Sequence, residues 1–140
     1  MDLHWQSSLA TGNELIDKQH QELFRRMEKL LESVNSGQGP KCVSNAITFL
    51  ENYAFHHFRA EEELQRKNNY PEYESHKVQH RIFMEDVARL RGDLDRQGAS
   101  AELQLKAIAS VGNWICNHIN KRDKSLASYL QERDETVKHS

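Results

Sequence analysis

Breakers of regular structure fall in three short clusters and are scarce elsewhere, and this constrains the chain most. "NSGQGP" (35–40), "KNNYP" (67–71) and "RQGAS" (96–100) hold both prolines and three of the six glycines. Proline and glycine end helices, so the runs between the clusters are free to be long helices. In each run the apolar residues recur at three-and-four spacing, the period of one helix face. The first stripe is Ile16, His20, Leu23, Phe24, Met27, Leu30, Leu31 and Val34, and the second is Ala46, Leu50, Tyr53, Ala54, His57, Glu61 and Leu64. The third is Tyr73, His76, His80, Phe83, Val87, Leu90 and Leu94, and the fourth is Leu103, Ala107, Ile108, Val111, Trp114, Ile115 and His118. Short connections make successive helices antiparallel neighbours. The expected fold is therefore all-α, an up-down-up-down antiparallel four-helix bundle with a non-helical N-terminal arm. The reading gives an arm over 1–11, helices over about 12–35, 41–67, 71–95 and 100–130, and a polar tail over 131–140. Pro40 and Pro71 are each placed to open a helix, and Trp5 in the arm is the candidate to pack on the bundle.

At 140 residues the chain is expected to be one domain, 1–140, with room for a real core. Its formal net charge of −2 carries no basic excess that would call for nucleic acid or anionic lipid. No apolar run is long enough to span a bilayer. Met-Asp-Leu-His-Trp is not a basic region followed by an apolar stretch, so no export signal is expected. Cys42 and Cys116 do not form a Cys-x-x-Cys pair and read as free thiols of a reducing compartment, the cytoplasm.

The informative feature is which polar residues occupy the inner stripes. His20, His57, Glu61, His76, His80 and His118 all do, spread over four helices. A buried carboxylate without a partner is costly or gives up its charge. One such residue is ordinarily a hydrogen-bonded core residue, and one His-x-x-x-His pair is a weak signal. Six together ask for a common partner. His57–Glu61 and His76–His80 are i,i+4 pairs, which return to one face about 6 Å further along the helix. Helices running in opposite directions bring the two pairs to similar depth. Asp123 follows His118 by five residues, which turns it away on an ideal helix. It joins the others only if the helix loosens there, as a π-type turn does. Glu62 and Glu63 read as solvated, and His4, His56 and His139 lie off the stripes.

Neutral imidazoles with two carboxylates suit iron, zinc, copper or nickel. Seven ligands exceed what one metal takes from protein, so two metals are expected. A structural zinc would be satisfied with four. The carboxylate-rich di-iron bundles use Glu-x-x-His repeats, which the core stripes here lack.

"GNELIDKQHQELF" (12–24), "HFRAEE" (57–62), "YPEYESHKVQH" (70–80) and "WICNHINKRD" (114–123) carry these residues. In them the chain resembles the hemerythrins, and among those the single-domain bacterial members. The resemblance covers roughly residues 4–130 and all seven positions. It implies a non-haem di-iron centre that binds O₂ reversibly. One iron would take His76, His80 and His118 and the other His20 and His57, with Glu61, Asp123 and an oxo or hydroxo group bridging both. One position stays open, on the iron of His20 and His57. Leu23, Trp114, Ile115 and Ile119 are the candidates for an apolar pocket wall around it, or for plain core. With one open position and no further acid or base on the stripes, the expectation is a binding protein, not an enzyme. Its role would be oxygen carriage, storage or delivery. The alternative is an O₂- or redox-sensing domain attached to a signalling partner. A di-iron peroxidase or nitric oxide reductase ranks third.

Overall fold

The structure, a computed structural model, describes residues 5–36 and 39–139, without the side chains of 34–36, 39–41 and 134–139. It is an all-α four-helix bundle. Helix α1 spans Glu14–Ser36, α2 Gly39–Lys67 and α3 Tyr73–Gln97. The fourth rod has three parts: α4 (Ala101–Trp114), a π-helical segment (Ile115–Asp123) and α5 (Lys124–His139). Contacts between rods give their directions. Gln19 meets His57 while Arg26 lies over Phe49, so α1 and α2 run in opposite senses. Likewise α2 and α3 pair Glu51 with Arg91 and Gln65 with His76. Asp93 with Lys106 and His76 with His118 orient α3 against the fourth rod. Ser33 with Gln104 and His20 with Asp123 orient α1 against it.

Local chemistry sets the ends. The Asn13 side chain accepts from the Ile16 N–H at 3.1 Å, and Ser100 accepts from Leu103 at 3.1 Å, capping α1 and α4. Gly98, at φ 75, gives its N–H to the Leu94 carbonyl and closes α3. Pro71 does not open α3 as expected. Asn69 takes the left-handed conformation (φ 54) after α2, and the Tyr73 N–H bonds the Tyr70 carbonyl. Pro71 is thus the second residue of a turn, where its fixed φ fits, and α3 starts two residues later. The polar tail expected from 131 is also helical, and α5 runs to His139. Gln, Glu, Arg and Lys are good helix formers, and no glycine or proline interrupts "LQERDETVKH". Two α5 side chains reach back into the fold. The Tyr129 hydroxyl bonds the Asn68 carbonyl at 2.8 Å, and the Gln131 amide bonds that of Ala10 at 2.8 Å.

The core fills the space between the stripes, from Ile16 and Leu23 on α1 to Leu126 and Ala127 on α5. Leu31 departs from its stripe and is 38 % exposed, whereas Val34 and the tip at 37–38 lie outside the described side chains and residues. In the arm, Thr11 donates from its N–H and its hydroxyl to Asp17, each at 2.8 Å, and Trp5 packs edge-on against Phe24. The arm is not wholly irregular, since Ser7–Leu9 form one 3₁₀ turn. Among the described residues no helix is long and apolar enough to cross a membrane.

Candidate metal centre

All seven residues singled out from the sequence meet in the middle of the bundle. His20 comes from α1, His57 and Glu61 from α2, His76 and His80 from α3, and His118 and Asp123 from the π segment. None is more than 1 % exposed, so water cannot satisfy them. Their donor atoms form two quartets sharing Glu61, each within 4.8 Å: Glu61, His76, His80 and His118, and His20, His57, Glu61 and Asp123.

The two carboxylates divide their oxygens between the quartets. Glu61 Oε1 lies 3.1 Å from His76 Nε2 and 3.0 Å from His80 Nε2, while its Oε2 lies 3.4 Å from His20 Nε2 and 3.2 Å from His57 Nε2. Asp123 repeats the pattern. Its Oδ1 lies 2.8 Å from His76 and 3.1 Å from His118, and its Oδ2 lies 3.1 Å from His20. Asp123 reaches this place because the backbone from Ile115 to Asp123 is π-helical. A wider turn brings a residue five positions on back to the same face. Every imidazole points Nε2 inward.

Protons alone serve this cluster poorly. His20 Nε2, Glu61 Oε2 and Asp123 Oδ2 are buried without an aligned hydrogen bond. His76 and His118 turn their Nε2 atoms on each other at 2.8 Å, where at most one can carry a proton. Burial alone would favour neutral groups, yet the carboxylates stay charged. The imidazoles around Glu61 and Asp123 outweigh burial and hold both carboxyls below their usual range. Burial pulls His20 down, but Asp123 and Glu61 outweigh it and hold it up to about 10; the same balance holds His76 up to about 9. His57 and His118 go the other way, lowered first by burial. Two buried carboxylates and five inward-facing imidazole nitrogens, crowded where protons cannot pair them all, fit metal cations better than protons.

A sequence profile described as "Hemerythrin HHE cation binding domain" matches residues 11–130. The chain belongs to the hemerythrin family. It is 31% identical over 138 residues to a bacteriohemerythrin of Pseudomonas paraeruginosa, covering 99% of this chain and 83% of that one. A bacteriohemerythrin of Stenotrophomonas maltophilia is 30% identical over 129 residues, covering 92% and 82%. A hemerythrin-like protein of Naegleria gruberi is 30% identical over 127 residues, covering 91% and 92%. Membership gives this hemerythrin a metal-binding role, and the buried cluster is the place suited to it.

Around the seven lies an outer ring of hydrogen bonds that the sequence reading did not identify. His57 Nδ1–H donates to Gln19 Oε1 at 2.7 Å, and His80 Nδ1–H donates to Glu62 Oε2 at 2.9 Å. Gln79 Oε1 stands 3.5 Å from His118 Nδ1. Gln65 Nε2 lies 2.9 Å from His76 Nδ1 while its Oε1 is buried without a partner; exchanging the two ends of the amide gives that oxygen the His76 N–H to accept. Each such bond leaves the Nε2 lone pair facing the centre. Glu62 is therefore not the solvated residue expected, because the turn of α2 that aims Glu61 inward leaves its neighbour beside His80. Gln65 carried a signal in the sequence: it continues the stripe of His57 and Glu61 by one more i+4 step. Gln19, Glu62 and Gln79 lie at stripe edges, where polar residues are the rule, and carried none.

Aromatic rings close the hemerythrin site. Trp114 stacks on His118 with centroids 3.8 Å apart, Phe58 on His80 at 4.0 Å and Tyr53 on His57 at 4.8 Å. Trp5 covers His20 at 6.3 Å. Of the expected pocket wall, Leu23, Ile115 and Ile119 are wholly buried. Trp114 lies against His118 rather than His20 or His57. His56 is exposed, as expected of a bystander, and Cys42 and Cys116 are free thiols. His4 and the side chain of His139 lie outside the described parts.

Proposed function

We propose that this hemerythrin binds O₂ reversibly at a pair of iron ions in the cytoplasm, for carriage, storage or delivery, and that it is not an enzyme. The observation that carries the reading is the division of each carboxylate between two histidine groups. Glu61 offers one oxygen to His76 and His80 and the other to His20 and His57. A carboxylate so placed serves two cations at once, and Asp123 does the same from the opposite rod. A single structural zinc would leave three of the seven without a role. Iron suits the mixture of imidazole and carboxylate, and a ferrous pair supplies the two electrons that hold O₂.

The chain's own residues supply the rest. His76, His80 and His118 would hold one iron and His20 and His57 the other, so the poorer side would be the place for a small ligand. Leu23, Ile115 and Ile119, all wholly buried, are the candidates for its apolar surroundings; a dry wall would hinder proton delivery and keep the bound gas recoverable. Tyr53 lies nearby but is no base. Burial first, then the negative charge of Asp123 and Glu61, raises its phenol well above the usual value, so it stays protonated. Among the described residues the other carboxylate at the cluster, Glu62, is bonded to the outer nitrogen of His80 and does not face the interior.

The test is a visible absorption spectrum of iron-quantified, anaerobically reduced protein, taken before air, after air and again under argon. The expected result is two irons per chain and a band that appears with air and vanishes under argon. An irreversible change sinks the carrier reading and leaves the sensing domain or the peroxidase. Failure to take two irons sinks the di-iron centre.

A further inference from the structure

We propose that Glu62 is a positioning residue that, through His80, makes the His76/His80/His118 half of the metal centre the harder half to reduce. The inference rests on the di-iron reading above. Its observation is an asymmetry in the outer ring of hydrogen bonds. His57, His76 and His118 have neutral carboxamides beside their Nδ1 atoms, those of Gln19, Gln65 and Gln79. Among the described residues His20 Nδ1 has no hydrogen-bond partner. His80 alone faces a carboxylate, Glu62 Oε2 at 2.9 Å.

A carboxylate that accepts the Nδ1 proton draws it outward and makes Nε2 a stronger donor. It also adds a negative charge one imidazole away from the metal. Both effects favour the higher oxidation state there. Glu61 and Asp123 cannot create the difference, because each is shared by the two halves. Nor is the Glu62 charge spent elsewhere. Among the described residues its ion-pair partner is His80, and no lysine or arginine pairs with it within 4 Å. Its side chain is 23 % exposed, so water screens it in part without replacing the bond. Glu63 is a built-in control. It carries the same charge one residue on, is exposed, and pairs with Lys67 at 3.4 Å instead of a histidine.

The experiment is a redox titration of iron-loaded wild type, Glu62→Gln and Glu63→Gln, with Mössbauer spectra of the half-oxidised samples. Glu62→Gln keeps the shape and the hydrogen bond but removes the charge. At a fixed potential it should shift the oxidised-to-reduced ratio of one iron about tenfold toward reduced, matching the low end of what losing an outer-ring partner costs in metal affinity or activity. That equals 59 mV for one electron. The ferric signal of half-oxidised protein should sit on one iron in wild type and spread over both in Glu62→Gln, with Glu63→Gln matching wild type. Unchanged potentials, or equal shifts in both variants, overturn the proposal. If iron does not load at two per chain, the O₂ reading fails separately. NMR of zinc-loaded protein then decides the Glu62 link. The His80 Nδ1–H resonance should stand far downfield and move upfield in Glu62→Gln, and a resonance that stays in place overturns the link.

Discussion

Glu61 and Asp123 carry the negative charge at the heart of the cluster, and each is within 1 % of complete burial. An amide in place of either keeps the shape but offers one weak oxygen and no charge, so it cannot serve two cations. Glu61→Gln and Asp123→Asn should each lower bound iron from two per folded chain to one or fewer, measured by metal analysis of protein whose helicity is unchanged. Retention of two irons by either variant would refute its bridging role. Single residues also show where the sequence is legible. The five histidines and Glu61 could be picked out because each interrupts an apolar stripe, where only a shared partner explains a polar group. Asp123 could not be chosen that way, because its position depends on a backbone distortion. Glu62 reads as solvent-facing in the sequence because one turn of helix does not reveal which neighbouring rod stands beside it.

Among the elements, the segment Ile115–Asp123 is the unusual one. π-Helical backbone is rare and less favourable than α, and it persists where something else holds it. Here the holding group is the pair His118 and Asp123 converging on a common centre. With the metal removed, that segment loses its reason to stay distorted, while α2 and α3 keep their packing. Amide hydrogen exchange across 115–124 should therefore speed up on metal removal more than exchange across 47–65 or 76–90. Equal acceleration everywhere would mean that the distortion is held by packing alone. Most element positions were readable because the breaker clusters coincide with the turns. The errors lie at ends. Pro71 serves a turn residue's role as well as a helix opener's, and composition alone does not choose. The α5 extension shows that a polar stretch of good helix formers is not by itself a tail, since Tyr129 and Gln131 tie its start to the α2–α3 turn and to the arm.

For the whole molecule, protons and metal compete for one cavity, which fixes how stability responds to pH. In the metal-free chain His20 is held up to about 10 and His76 to about 9, above the 6.5 of an exposed histidine. The folded state then binds more protons than the unfolded one, so this contribution is complete below pH 6.5 and is lost as pH rises toward 10. Glu61 and Asp123 are shifted the opposite way, and their contribution is lost as pH falls through the acid range. Metal needs neutral imidazoles, so its hold strengthens as those protons leave. The melting temperatures of loaded and metal-free protein should thus diverge between pH 6.5 and 9, read from paired thermal melts, and parallel curves would contradict this. The carboxylate geometry has a last consequence for the chain as a polymer. His20 and Asp123 lie about a hundred residues apart in sequence, yet they meet at one point with donors from the two rods between. A metal there would act as a clasp, closing three successive loops of the unfolded chain. The entropy it removes grows with the logarithm of loop length, so a bundle without disulfides gains a cross-link that it can also release.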